Sequence, residues 1–252
     1  MYKSIIIIII FDAFGIKIKL KNIYISIRQT YYIMYSQLNQ DLWVLDILQH
    51  KQNGVFVDVG AFDGINLSNT YLLEKQYNWN GICIEANCST FKKLEKCRNC
   101  VCVNELLSDE KDKVLPFQNL GELSFGVENV LNVDIAEIRN NNDNLDTSMK
   151  FLTTNTLENV LNEHNIPNVI DYLSIDVEGM EYEILKNFDF NRYHINTLTV
   201  EHNAAHIGDE YRNKLFYLLS NNNFKFVKGN DNVHNWDKYY IEDFYVNTHI
   251  KN

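Results

Sequence analysis

The chain has 252 residues, a length that suits one α/β domain or a domain with an extension. Hydrophobic residues make up 46% of it, and 23 basic against 33 acidic residues leave a net charge of −10 with no Lys/Arg block. A protein that tracks phosphates carries a basic face, so this balance argues against a nucleic-acid partner.

The first residues, "MYKSIIIIIIFDAFG", hold an apolar run far shorter than the roughly 20 residues that cross a bilayer, so no stable membrane span is expected. Asp12 interrupts the run and no small-residue cleavage site follows, which argues against a signal peptide. "IKIKLKNIYISI" alternates apolar and polar with a period of two and reads as a strand or hairpin; a poorly ordered leader before Met34 is the other reading. Residues 1–33 are therefore set apart as an extension of uncertain structure, with the main domain over 34–252.

From Ser36 the pattern turns helical, with Leu38, Leu42, Leu45 and Leu48 at spacings of three and four, and Gly54 is expected to close that helix. Val55 to Val59 reads as a buried parallel strand. A helix over 67–76, a strand "GICIEA", a helix "STFKKLEKC" and a strand "CVCVNELLS" follow. Residues 110–150 break the rhythm. Their Asn-rich stretch "EIRNNNDNLDTS" reads as an exposed loop, suited to a substrate lid or to plain surface. The alternation resumes with "TLENVLNEHN" as helix, "VIDYLSID" as strand and a helix over 181–187. "INTLTVEHN" as strand, a helix over 209–221, and the strands "FKFVKG" and "KYYIEDFYVN" complete the chain. Strands alternating with helices specify a doubly wound, mostly parallel sheet.

Five cysteines fall at 83, 88, 97, 100 and 102. Their odd number and clustering argue against a disulfide framework and for a reducing compartment, hence the cytoplasm. Cys97 and Cys100 form a CxxC, but zinc needs a second pair of ligands at matching spacing and none follows.

Chemistry is expected at the carboxyl ends of the strands, where open α/β sheets bind ligands. In "VFVDVGAFDG", Gly60 and Gly64 permit a tight turn with close backbone approach. The spacing is Gly-x-x-x-Gly, not the dinucleotide GxGxxG, and Asp58 and Asp63 flank it. Carboxylates there would repel a pyrophosphate but suit a cation carrying an amine and a sulfonium. Glu85 ends the next strand, where an acid accepts hydrogen bonds from ribose hydroxyls. Further along, Asp176 and Glu178 mark a second turn with a cleft role, while Glu181 reads as a helix cap. Glu201, His202 and Asn203 end the following strand. His202 is a candidate general base for removing a hydroxyl proton. Alternatively, Asp176 and Glu201 hold a Mg²⁺ that binds substrate hydroxyls.

The chain resembles the FkbM family of S-adenosylmethionine-dependent methyltransferases. The resemblance runs from about Ser36 to Val246, through "SQLNQD", "GVFVDVGAFDGINLSNTYLLE", "WNGICIEAN", "LLSD", "TTNTLENVL", "YLSIDVEGMEYEIL", "TVEHN" and "DFYV". It implies a Rossmann-like class I methyltransferase fold, with a seven-stranded sheet whose last strand is antiparallel and helices on both faces. It also implies S-adenosyl-L-methionine as cofactor and methylation of a hydroxyl, with a leaning toward a small-molecule or glycan acceptor. Carried over by position, Asp58, Gly60, Phe62 and Gly64 form the turn under the methionine part, with Asn69 and Thr70 beside it. Glu85 and Ala86 lie at the ribose, Ser108 and Asp109 approach the adenine, and Asp176 borders the cofactor. From their own positions and chemistry, His202, Asp176 and Glu178 are the expected catalytic set. Asn87 stands where many members have proline, which puts the local turn geometry in question. A lipid or protein acceptor, or a binding module without catalysis, are the rival readings.

Overall fold

In the computed structural model, the described residues are 7–12, 15–20, 23–27, 35–118, 125–126, 149–204, 208–229 and 241–251. The Asn-rich stretch at 137–148 lies outside them. The chain divides into two units, Met1–Met34 and Tyr35–Asn252. In the first, β1 (Ile7–Asp12), β2 (Gly15–Leu20) and β3 (Ile23–Ile27) form an antiparallel meander, with Ile7 opposite Leu20 and Ile16 opposite Ile27.

The second unit is built on β4 (Val55–Val59), which pairs in parallel with β5 (Asn80–Ile84) on one side and β11 (Val169–Ile175) on the other. Beyond β5 lies β6 (Val101–Val103). Beyond β11 lie β12 (His194–Glu201), β14 (Glu242–Asn247) and β13 (Phe224–Gly229), giving the order β13-β14-β12-β11-β4-β5-β6. β14 is antiparallel to both its neighbours, so it alone runs against the rest. The sheet is the seven-stranded, mostly parallel sheet of the Rossmann-like methyltransferase fold.

Both faces are covered, so β4, β5, β11, β12 and β14 are buried at nearly every position. Because successive side chains point to opposite faces, one core holds Val57, Val59, Ile82, Ile84, Leu173, Ile175, Leu198 and Val200. The helices α4 (Leu157–Glu163), α5 (Glu181–Leu185) and α6 (Asp209–Asn221) pack there. The other core holds Phe56, Cys83 and Tyr172 under α1 (Gln40–Ile47), α2 (Tyr71–Tyr77) and α3 (Cys88–Cys97).

Three local features differ from the pattern in the sequence. Gly54 does not end a helix. α1 stops at Ile47, and the indole of Trp79 lies 2.5 Å from where a Cβ on Gly54 would sit. α2 starts at Tyr71, not at 67, because Leu67 takes a φ of 55° and Ser68 Oγ accepts the N–H of Tyr71 at 3.1 Å, setting the entry turn. The segment "CVCVNELLS" is not one strand: after β6 the chain turns at Asn104. Leu106–Leu107 (β7) then joins a second sheet, ordered β7-β10-β8-β9, with β8 (Val114–Gln118), β9 (Phe125–Gly126) and β10 (Met149–Asn155).

At the amino-terminal edge of the main sheet, buried Asp171 ties three strands together. It accepts from Lys51 Nζ at 2.8 Å, Val55 N at 3.0 Å and Asn196 Nδ2 at 3.0 Å. Removing it takes the acceptor from the Val55 N–H and from one hydrogen of the buried Asn196 amide. Asp171→Ala is expected to lower Tm by roughly 5–15 °C, for a loss of about 2–4 kcal/mol. Because Asp171 is at the far end of the sheet from the carboxyl ends of the strands, S-adenosylhomocysteine affinity should stay unchanged. A thermal melt and a calorimetric titration on the same variant check both halves.

Candidate active site

The turn after β4 is fixed by its backbone. Gly60 has a φ of 85°, and a Cβ there would lie 1.7 Å from the carbonyl oxygen of Asp176, so only glycine fits. The N–H groups of Gly60 and Ala61 both donate to the Ile84 carbonyl, at 2.9 and 3.1 Å, which closes the turn onto the end of β5. Glu85 completes the closure: its carboxylate accepts from Phe62 N at 2.9 Å and Asn87 N at 2.7 Å. Burial pushes the Glu85 carboxyl up to about 7 against these bonds. Asn104, which carried no signal in the sequence, donates its amide to the carbonyls of Glu85 and Ala86, at 2.7 and 3.1 Å. Asn87 caps α3 by accepting from Ser89 N at 2.9 Å, a task for which an Asx side chain is well suited.

Asp58 is buried at the end of β4, and Thr70 Oγ1 donates to its Oδ2 at 2.5 Å. Burial raises its carboxyl to about 6, opposed by Arg98 and by the Thr70 hydrogen bond. Beside Thr70, Asn69 donates to Ser174 Oγ at 2.8 Å, while its own Oδ1 is buried without a partner. Asp58 and Ser174 are opposite one another across β4 and β11, so these two neighbouring residues reach two neighbouring strands. A desolvated carboxylate, an orphaned amide oxygen and a glycine turn without room for a side chain together fit a ligand that brings a cationic donor. The amino-acid part of S-adenosylmethionine is such a group. Ser108 is fully buried, and Asp109 is held by Lys186 at 2.7 Å and Lys113 at 3.7 Å.

The second cluster forms where β11 and β12 end. One carboxylate oxygen each from Asp176, Glu178 and Glu201 lies within 4.8 Å of the others. Asp176 and Glu201 share a hydrogen bond, and burial drives both carboxyls upward. Glu178 is pushed to about 8 by burial and by the charges of Asp176 and Glu181. Asn203 donates to Glu178 at 3.1 Å and to Glu201 at 3.0 Å. Glu178 and Asn203 hold φ values of 59° and 47°, left-handed conformations that concentrate at functional sites. Glu242, opposite Glu201 in β14, is also pushed to about 8, first by burial and then by Asp176, and accepts from Gln40. Among the described residues no ion pair reaches these four carboxyls.

His202 does not share the hydrogen bonds of this cluster. Its Nδ1 accepts from Ala204 N at 3.1 Å, and its Nε2 lies 3.5 Å from Asp243 Oδ1. Asp243 in turn receives both nitrogens of Arg212, at 2.9 and 3.0 Å. The imidazole is 0% exposed. Glu181 acts as a cap, accepting from Val177 N and Gly179 N at 3.1 and 3.0 Å.

Residues 58–226 match the family described as the methyltransferase FkbM domain. The chain belongs to the FkbM methyltransferase family. It is an S-adenosylmethionine-dependent methyltransferase. Comparison with curated proteins gave no match. Among solved structures, this FkbM methyltransferase is similar to a TehB-like S-adenosylmethionine-dependent methyltransferase from Corynebacterium glutamicum. The two share 8% identity at a TM-score of 0.43, over 83% of this chain and 88% of that one. A human methyltransferase 10 domain containing protein gives 11% identity and a TM-score of 0.44, over 84% and 82% of the chains. The glycopeptide N-methyltransferase MtfA gives 7% and 0.35, over 83% and 87%. Among the described residues no helix is long and apolar enough to cross a membrane.

The electrostatics set a pH dependence of stability. Asp58 at about 6, Glu85 and Glu181 at about 7, and Glu178 and Glu242 at about 8 all lie above their unfolded values near 4. Each contributes stability that is complete below its unfolded pKa and lost as pH rises through the folded one. Glu74 runs the other way. Its carboxyl is lowered to about 2, because burial, the largest single effect, is outweighed by Arg98, Lys75 and the Asn99 N–H acting together, so its contribution is lost as pH falls from about 4.5 toward 2. Without ligand, Tm is expected to peak near pH 5 and to fall by at least about 3 °C by pH 8.5, the equivalent of one pK unit at one carboxyl. A melt series in which Tm rises over that range would show that these acids are solvated.

Proposed function

We propose that this FkbM methyltransferase transfers a methyl group from S-adenosylmethionine to a hydroxyl of a saccharide or a sugar-containing small molecule. The observation that carries the reading is the acid cluster of Asp176, Glu178 and Glu201, joined through the Asp176 backbone to the glycine turn at Gly60. It offers oxygen acceptors and a single amide donor from Asn203, a lining suited to a ligand with several hydroxyl donors. Asp176 and Glu178 keep part of their surface open to solvent, so an acceptor can reach them.

Bound cofactor supplies an electrophilic methyl group, so the protein's task is to align the acceptor oxygen and take up its proton. Glu178 is the residue assigned to that proton: a carboxyl pushed to about 8 is a far stronger base than an ordinary carboxylate. Asp176 holds the acceptor hydroxyl beside it. His202 is assigned to bracing the end of β12 against Asp243 and not to proton transfer, since its Nδ1 already accepts a backbone N–H. The oxygen-only donor set also fits a hard divalent cation. Asp176 and Glu201 would hold Mg²⁺, which would acidify a bound hydroxyl. Five free cysteines support a reducing, cytoplasmic setting, and the net charge of −10 supports an acceptor other than nucleic acid.

The test is methyl transfer from labelled cofactor to panels of sugars, nucleotide sugars, amines and lipids, in Mg²⁺ and in chelator. Glu178→Gln is expected to lower kcat on the accepted sugar by about 10²–10⁴-fold with S-adenosylhomocysteine affinity within about twofold. Turnover on amines alone would overturn the hydroxyl reading. Undiminished turnover in chelator would remove the metal.

A further inference from the structure

Arg98 sits between the two cysteines of the CxxC, at the end of α3, and its side chain is 0% exposed. Its guanidinium makes four hydrogen bonds. Nε donates to Glu74 at 2.7 Å, Nη2 to Thr70 Oγ1 at 2.9 Å, and Nη1 to Ser68 Oγ at 3.3 Å and the Gly64 carbonyl at 3.4 Å. Its carbon centre lies 5.3 Å from the Phe56 ring and 5.8 Å from the Tyr71 ring. A structural arginine needs only a carboxylate, and Glu74 supplies one. The remaining three bonds all go to residues 64–70, the segment that links the glycine turn to α2.

The bond to Thr70 has a directional consequence. A hydroxyl has one hydrogen to give, and a guanidinium only donates, so Thr70 must accept from Arg98 and direct its hydrogen elsewhere. That hydrogen goes to Asp58 Oδ2. Donation therefore diverges from Arg98: one arm ends on Glu74 in α2, and the other runs through Thr70 to Asp58 at the end of the central strand, the guanidinium polarising the Thr70 hydroxyl.

We infer that Arg98 is a positioning residue for cofactor binding: acting through Thr70, it fixes the Asp58 carboxylate toward the cofactor's amino-acid part. This takes Asp58 to receive that part of S-adenosylmethionine. Lysine cannot substitute, because a single ammonium cannot hold Glu74 and Thr70 in the two-pronged geometry of a guanidinium.

The experiment is calorimetric titration of two ligands that differ only in the part concerned. S-adenosylhomocysteine carries the amino-acid chain, and 5′-methylthioadenosine has the adenine, ribose and sulfur without it. In Arg98→Lys the Kd for S-adenosylhomocysteine is expected to rise about tenfold, while that for methylthioadenosine stays within about twofold. Thr70→Val, which keeps the side-chain volume, should show the same selective loss and holds the test open if Arg98→Lys folds poorly. In the double variant the second substitution should add less than about twofold, because the two act in series. Equal weakening of both ligands, or full additivity, would reduce Arg98 to a brace and overturn the inference. Equal affinity of the wild type for the two ligands would instead remove the amino-acid part from Asp58 and overturn the seating beneath it.

Discussion

Gly60 and the carbonyl of Asp176 meet so closely that no side chain fits between them, and the rest of the site depends on that contact. It follows from parallel pairing: Ile175 lies beside Val59, so the chain leaving β4 and the chain leaving β11 emerge side by side. Asp176 N donates to the Val59 carbonyl at 3.0 Å and fixes the crossing further. On one side of the contact lies the turn that carries Asp58 and meets Glu85; on the other lie Asp176, Glu178 and Glu201. Donor and acceptor groups in methyl transfer must meet in line, and misplacement by about 1 Å can cost about 100-fold. A glycine with positive φ at the junction lets two rigid strands set that distance.

The same geometry accumulates unpaired charge. Four carboxyls converge where the sheet ends, and neutral side chains, among them Asn203 and Gln40, donate to them. Burying anions without cations is unfavourable, and upward-shifted carboxyls are the visible consequence. Left-handed backbone at Phe62, Glu178 and Asn203 adds strain in the same place. The amino-terminal edge of the sheet is built the opposite way, with Asp171 paired to a lysine and two amide donors. Stability is thus concentrated at one end of the strands and relinquished at the other, where ligands arrive.

The sheet itself was legible because a continuous apolar run bounded by an acid has few other meanings in an alternating α/β pattern. Asp58, Glu85 and Asp176 stood out because they break such runs at strand ends. What stayed hidden depended on contacts far apart in sequence. Nothing local distinguishes Gly54 as a helix terminator from Gly54 as a floor for the Trp79 ring. "CVCVNELLS" looks like one strand, and only the pairing of Leu106 with Thr154 shows that it serves two sheets. The place of His202 beside two acids suits a base, but nothing local in the sequence shows that its Nε2 lies 3.5 Å from Asp243. Arg98 has no local signal either, because its partners Glu74 and Thr70 lie more than twenty residues away in the chain.

Asp176 carries these constraints to the chemistry. Burial drives its carboxyl and that of Glu201 upward, so both hold a proton more tightly than ordinary carboxylates. A positive charge brought beside Asp176, whether a sulfonium or a divalent cation, would favour its ionised form. The charge of Asp176 is in turn one of the causes that push Glu178 to about 8. On the proposed function, cofactor binding and the strength of the Glu178 base would therefore be coupled through Asp176.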